Sequence, residues 1–460
     1  MAVGLTARLA HFAAGLTYDH LPPAAVEAVR GILLDCVGTA IAGSSLGTGS
    51  KELLAVVEAS GGKPEAGVLG TSLRVPAVLA ALANGGLAHA LNYDDYLPGA
   101  GVHLGVTSVP AALAAAQHAG GVSGRELIAA LAAGNELMAR LGFAIQRAHG
   151  DYTETRPQMS QMLGYLNAAV CAGRVLRLSE AQLHSALGMA FMQASGGRQP
   201  VLEGTPAKAL YAAFPSQSGM LSALLAQQGL GAECAALEGQ AGLFATYFGN
   251  AYAAGELEQG LGRKWRFQEI TFKPWPTTSV AHVFIEAAIA LAQQHDLRGA
   301  GIGRVHLRGE AHMRTFCEPA AMRQAPRSSV EAEDSIPFTV AKALANRQVT
   351  LADIQPAGLA QPEVLQLAAR TTYAVDESLG RGGVVELTTT AGGKLEARVE
   401  RALGHPPREL SYEQLVAKFR DCARHALHPV AVDQALELIA GLERLDDVGR
   451  LVAAVSSGNR

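Results

Sequence analysis

Cysteine is scarce and scattered. The five cysteines, Cys36, Cys171, Cys234, Cys317 and Cys422, form no CxxC pair. An odd, dispersed set argues against a disulfide framework and gives no support for a clustered zinc or iron–sulfur motif. Reduced, core-filling thiols in a cytoplasmic protein are expected instead. Aromatic residues make up only 5 % of the chain, too few for the stacking platforms that hold single strands. An excess of basic charge is also missing. Lys+Arg number 37 against 41 Asp+Glu, a formal net charge of −4 with no long basic run, which does not suit a nucleic-acid binder. The apolar stretches at 77–83 and 110–116 are too short for a bilayer, which needs ~20 apolar residues. The first 16 residues interrupt their apolar stretch with Arg8 and His11, unlike a signal peptide. A soluble protein without membrane or nucleic-acid partners is the expectation. No G-x-S-x-G nucleophile elbow occurs, and Ser195-Gly196-Gly197 does not follow a strand as a phosphate loop would.

What the chain has in quantity is core material. Of its 460 residues, 49 % are hydrophobic and 17 % charged, and that length suits two domains. The first 260 or so residues read as successive helices rich in Ala and Gly, small residues that let helix axes approach. Pro22-Pro23 suits a helix start, and Val26, Val29, Leu33, Val37 and Ile41 follow at helical spacing, with Gly43 as the expected stop. Ser179-x-x-Gln182 has the form of a capping box leading into a helix that ends before Ser195-Gly196-Gly197. Further helical patterns cover 125–141 and 217–228. After about residue 270 the texture changes. Val305-His306-Leu307 reads as a strand. Val385, Leu387 and Thr389 alternate up to a turn at Ala391-Gly392-Gly393, and Leu395, Ala397 and Val399 alternate after it, a hairpin signal. A second capping box, Ser411-x-x-Gln414, opens helices that run to about Val455. The expected fold is mainly α, with a large all-helical domain from 1–269, a smaller α+β domain over 270–404, and helices at 405–460 that return to the first domain.

Polar residues gather in three places. Asn92-Tyr93-Asp94-Asp95-Tyr96 stands at the end of an Ala-rich helix, before a Gly/Pro loop and His103. Two acids, two tyrosines and a histidine there can line a pocket; an acidic helix end solvated by water is the equally weighted plain alternative. No H-x-x-x-H, H-E-x-x-H or nearby cysteine adds metal ligands, so no metal is expected. Lys208 follows a Gly/Pro turn and precedes Tyr211, and Lys273 lies between aromatics and prolines, ahead of Thr278. Lysines in apolar, turn-rich surroundings are candidate anion receptors, because burial is costly without a paired negative charge. For either one alone, an exposed lysine beside a loop is the commoner reading.

Taken in order, these segments resemble the MmgE/PrpD family, which includes 2-methylcitrate dehydratase, cis-aconitate decarboxylase and iminodisuccinate epimerase. The likeness runs from Ile32-Leu33-Leu34-Asp35-Cys36-Val37-Gly38 through His89-Ala90-Leu91-Asn92-Tyr93-Asp94-Asp95 and His103 to the Lys208 stretch. It continues through Lys273-Pro274-Trp275-Pro276 to Ser335-Ile336-Pro337-Phe338. The resemblance implies a helical main domain, an α+β lid, a homodimer, and no metal or organic cofactor. It also implies a site between the domains, lined by the Asp-Asp loop, the following histidine and the two lysines, with His103, Lys208 and Lys273 at matching positions.

Departures from the family pattern bear on the chemistry. Asn92 and Tyr96 stand where the decarboxylases and dehydratases usually carry Asp and Thr. Arg156-Pro157 replaces a His-Pro pair, Thr278 another histidine, and Phe338 a tyrosine. What the resemblance implies is a cofactor-independent lyase that moves a proton beside a carboxylate of a small di- or tricarboxylate. A hydro-lyase like 2-methylcitrate dehydratase is the leading expectation, with an iminodisuccinate-type epimerase or a cis-aconitate-type decarboxylase as alternatives. A catalytically inactive carboxylate-binding scaffold is the reading from another class. His103, Tyr96, Lys208 and Lys273 are the expected catalytic residues, and Asn92, Asp94, Arg156, Tyr211 and Thr278 the expected substrate contacts. An imidazole, titrating near ~6.5 in water, suits proton transfer at neutral pH. Arg156 offers a fixed bidentate carboxylate clamp.

Overall fold

Helix starts follow the hydrogen-bond chemistry written in the sequence. At Ser179 and at Ser411 the serine oxygen accepts the third helical amide, and the glutamine side chain returns to the serine amide. Ser123 and Glu126 form a third such box. Each satisfies two backbone donors that a helix leaves unpaired. A computed structural model describes residues 4–150 and 157–456. The chain forms two compact units. The first comprises Met1–Ala90, Asp94–Ile270 and Ser411–Arg460, and the second Leu91–Tyr93 and Thr271–Leu410.

Among the described residues, the first unit is helical apart from a short antiparallel pair, β1 (Ala66–Gly67) and β2 (Arg74–Val75). Its main helices are α1 (Leu5–Gly15), α2 (Pro23–Leu46), α3 (Ser50–Ala59), α4 (Ala77–His89), α5 (Gly105–Ala119), α6 (Gly124–His149), α7 (Met159–Val175) and α8 (Glu180–Gln193). After the single turn α9 (Gln199–Leu202) comes α10 (Leu210–Gln227). The expected stop of α2 at Gly43 is wrong: the helix runs on to Leu46 and is capped at Gly47. Gly43 instead serves a helix crossing, where a Cβ would stand 2.0 Å from the Leu87 carbonyl oxygen of α4. Gly219 does the same between α10 and α7, its virtual Cβ 2.4 Å from the Ala168 side chain. Small residues set the spacing of these helices.

Among the described residues one helix, α6, is long and apolar enough to cross a membrane, a length the short apolar runs did not reveal. Ninety-four per cent of its apolar window is buried by the chain's own packing, so it is a core helix. Inside it Arg140 donates Nε to Glu136 Oε1 at 2.6 Å. The Arg140 guanidinium also bonds the carbonyls of Glu256, Gln259 and Lys264 at 2.9, 3.2 and 2.7 Å. Glu136 Oε2 accepts the amides of Arg266 and Phe267 at 2.7 and 3.2 Å. A charge pair buried this deeply persists because nearly every lone pair and proton finds a partner.

The second unit is α+β. Its sheet has the order β4-β3-β5-β6, from β3 (Ile302–Gly309), β4 (Thr371–Val375), β5 (Gly383–Thr389) and β6 (Lys394–Val399). β3 and β4 run parallel; β3–β5 and β5–β6 are antiparallel, and the expected hairpin is β5–β6, with Val385 opposite Ala397 and Leu387 opposite Leu395. Val305, Leu307, Val385 and Leu387 form one buried face. Phe284, Ile285 and Leu291 of the helix His282–Gln294, and Val340 and Leu344 of the helix Ile336–Asn346, complete the core. Four cysteines are buried and unpaired, whereas Cys234 is exposed.

Candidate active site

In the first unit the site grows from the break between α4 and α5. His89 is the last residue of α4, and the chain returns at Leu104, the N-cap of α5. Two hydrogen bonds hold that return. Asp95 Oδ1 accepts the Leu104 amide at 2.9 Å, and Oδ2 accepts the Gly105 amide at 2.8 Å. The intervening loop is tied by a Leu97–Val102 bridge, and Ser160 of α7 accepts the His103 amide at 3.0 Å.

Asp94, fully buried, lies between two imidazoles. Its Oδ2 is 3.0 Å from His89 Nδ1 and 2.7 Å from His103 Nδ1. The same His103 nitrogen faces the main-chain carbonyl of Asp95. The Tyr211 hydroxyl is 3.3 Å from His89 Nδ1, and the two rings lie 4.0 Å apart between centroids. Tyr96 packs on the other imidazole, 5.2 Å from the His103 centroid. Lys208, in the turn Pro206–Ala209, is 7 % exposed, and its charge acts on His89.

The two adjacent acids are driven apart. Burial alone would raise Asp94, but His89 and His103 outweigh it and hold the carboxyl well below the usual range. Burial, helped by Asp35 and Asp94, pushes Asp95 well above that range against the pull of the Gly105 and Leu104 amides. Burial lowers His89 to about 4, with Asp94 opposing and His103 and Lys208 adding to the fall. At neutral pH His89 is thus a neutral donor beside the Asp94 carboxylate. Among the described residues, one group of three side chains could surround a metal ion, His89, Asp94 and His103, whose ligand atoms lie within 4.8 Å of one another. Bonds of 2.7 and 3.0 Å to imidazole nitrogens, with a carbonyl at one of them, are the geometry of shared protons.

The second unit carries its own polar cluster. Lys273, 3 % exposed, donates Nζ to both the carbonyl and the Oδ1 of Asn92, each at 2.7 Å. Asn92, at φ 48°, donates its Nδ2–H to Asp334 Oδ1 at 3.0 Å. The amide is therefore oriented by both neighbours, and an aspartate at position 92 would face Asp334 as a second carboxylate. Tyr93 donates its hydroxyl to the Pro274 carbonyl at 3.1 Å. Thr278, also buried, is held through its amide to the Glu333 carbonyl at 2.8 Å. Burial lowers His405 to about 4, and the cations Arg381, Arg401 and Lys273 contribute.

Of the expected site residues, Asp94, Tyr96, His103, Lys208 and Tyr211 gather in the first unit, and Asn92 joins Lys273 in the second, which also holds Thr278. Arg156 lies outside the described residues. His89 and Asp334 were not among the expected site residues. The spacing His89 to Asp94, one turn beyond a helix end, was the signal available for the first; Asp334 is 242 residues from Asn92.

The MmgE/PrpD N-terminal domain matches residues 7–255 and the MmgE/PrpD C-terminal domain residues 275–444. A cis-aconitate decarboxylase of Aspergillus terreus is 26 % identical, over 98 % of this chain and 95 % of its own. The cis-aconitate decarboxylases of Homo sapiens and Mus musculus are each 24 % identical, over 94 % and 97 % of this chain and 90 % and 92 % of theirs.

Proposed function

The chain belongs to the MmgE/PrpD family, and from that premise we propose that it is a lyase. Its substrate is a small di- or tricarboxylate, and it moves a proton at a carbon next to a carboxylate. The observation that carries this reading is His103, 12 % exposed at its side chain, held against a buried carboxylate and packed on Tyr96. An imidazole so placed exchanges a proton, while cationic lysines offset the charge that builds on the substrate. Dehydration of a hydroxy acid of the 2-methylcitrate type uses both: the base takes the C–H proton, the C–H electron pair forms the alkene, and the hydroxyl takes a proton from the enzyme and leaves as water. A second reading, decarboxylation of an unsaturated tricarboxylate, is favoured by the names of the relatives. There the C–C bond breaks, CO2 leaves, and the residual carbanion takes a proton from the enzyme.

The deciding experiment incubates purified protein with citrate, 2-methylcitrate, cis-aconitate and succinate derivatives in deuterated water. Loss of water to the alkene, with deuterium exchanged into the reacting carbon of the remaining hydroxy acid, supports the hydro-lyase, and CO2 release with deuterium in the product supports the decarboxylase. Binding without exchange or turnover of any of these acids would instead point to an inactive scaffold.

Lys208 and Lys273 are assigned to the substrate carboxylates. Losing a charge-assisted contact costs ~1.5–3 kcal/mol, which is roughly tenfold to a hundredfold in affinity. Lys208→Ala and Lys273→Ala should therefore raise KM by that factor with smaller changes in kcat. Titration of a competitive dicarboxylate inhibitor checks it; unchanged affinity in both variants removes the clamp.

A further inference from the structure

We propose that Asp94 and His89 form a buried positioning pair that holds His103 as its Nδ1–H tautomer and leaves Nε2 as the proton-accepting atom, so that Asp94 touches no substrate carboxylate. The inference rests on the proton-transfer role given to His103 above and names what controls it. A carbonyl oxygen can only accept, so the His103 Nδ1 that faces both the Asp95 carbonyl and Asp94 Oδ2 carries the hydrogen. In the neutral ring the lone pair then sits on Nε2, the opposite edge.

Asp94 is arranged for this task and poorly arranged to bind an anion. The residue is 0 % exposed. Oδ2 takes both imidazole N–H groups, and Oδ1 is buried without a hydrogen-bond partner. A buried carboxylate beside the substrate would repel its carboxylates, yet it stabilises the imidazolium that forms when His103 takes a proton. His89 supplies the second donor. Its side chain is wholly buried, and its Nε2 has no hydrogen-bond partner. An unpaired lone pair there is less costly than an unpaired N–H of a charged ring, which keeps His89 neutral. The Tyr211 hydroxyl at 3.3 Å and its ring, tilted against the imidazole with centroids 4.0 Å apart, keep His89 in place.

The test uses the full-length protein labelled with 15N-histidine, its His103 signals assigned by their loss in His103→Asn. The wild type should show His103 protonated at Nδ1 and bare at Nε2, with a strongly downfield N–H proton shared with Asp94. In Asp94→Asn that proton should move upfield, and kcat should fall about tenfold to a hundredfold with KM within threefold. His89→Gln keeps one donor to Asp94, so the downfield signal should persist; its loss in a variant with a native circular-dichroism spectrum contradicts the pairing. An Nε2–H tautomer in the wild type overturns the proposal, as does a raised KM in Asp94→Asn with the N–H signal unmoved. The spectra need no substrate. If no acid is turned over, the lyase reading fails while the tautomer is still decided.

Discussion

Replacing His103 by asparagine is expected to lower kcat by ~10²–10⁴-fold, the range that a lost general acid–base produces, while KM changes little. The imidazole nitrogen Nδ1 faces two oxygens, Asp94 Oδ2 and the Asp95 carbonyl, with Tyr96 packed against the ring. Tyr96 is the rival carrier, since its phenol packs on the same imidazole. Its ring centroid lies 5.2 Å from that of the imidazole. The pair is separated by measuring single-turnover rates for His103→Asn and Tyr96→Phe. If Tyr96→Phe abolishes turnover and His103→Asn leaves it nearly intact, the tyrosine carries the proton and the assignment is reversed.

The second large effect concerns stability. Arg140→Met should destabilise the helical unit by ~3–5 kcal/mol, because it strands the Glu136 carboxylate in the core. Burial already raises Glu136, and Arg140 is the strongest group opposing that rise, ahead of the Phe267 and Arg266 amides. Without the guanidinium the carboxyl should rise further. A group whose folded pKa exceeds its unfolded value, ~4.3 for glutamate, stabilises the fold below the unfolded value and loses that contribution as pH rises through the folded one. The deficit of Arg140→Met should therefore be larger at pH 7.5 than at pH 5, read as the shift in denaturant midpoint. Equal deficits at both pH values would mean that packing, and not the stranded charge, sets the cost.

What could be read from the sequence was local. A capping box needs four residues, a hairpin about fifteen, and an amphipathic spacing two turns; each appears where the residues placed it, and the mainly α fold with a smaller α+β part follows. Gly43 shows the limit. Its lack of a side chain was read as a helix terminator, but it answers to Leu87, 44 positions away, at a crossing that no local pattern reveals. The sheet order is similar, since the parallel β3–β4 pair joins Val305 to Thr371 across the helices between them. In the candidate site, Asp94 and Asp95 look interchangeable as letters. They part company only because one meets two imidazoles and the other two helix amides and a neighbouring acid. Lys273 could be marked as an anion receptor, whereas its hold on Asn92, 181 residues distant, could not.

The loop that carries His103 is tied at both ends and across its middle by hydrogen bonds of its own. Leu97 binds Val102 through its amide at 2.8 Å and accepts the amides of Ala100 and Gly101 at 3.1 and 2.9 Å. Asp95 and Ser160 hold its far end. Immobilising a backbone residue costs ~1–2 kcal/mol of conformational entropy, and in this loop folding has already absorbed it. A segment tied in this way has little conformational entropy left to lose, so contacts made at its surface are not offset by the cost of ordering it.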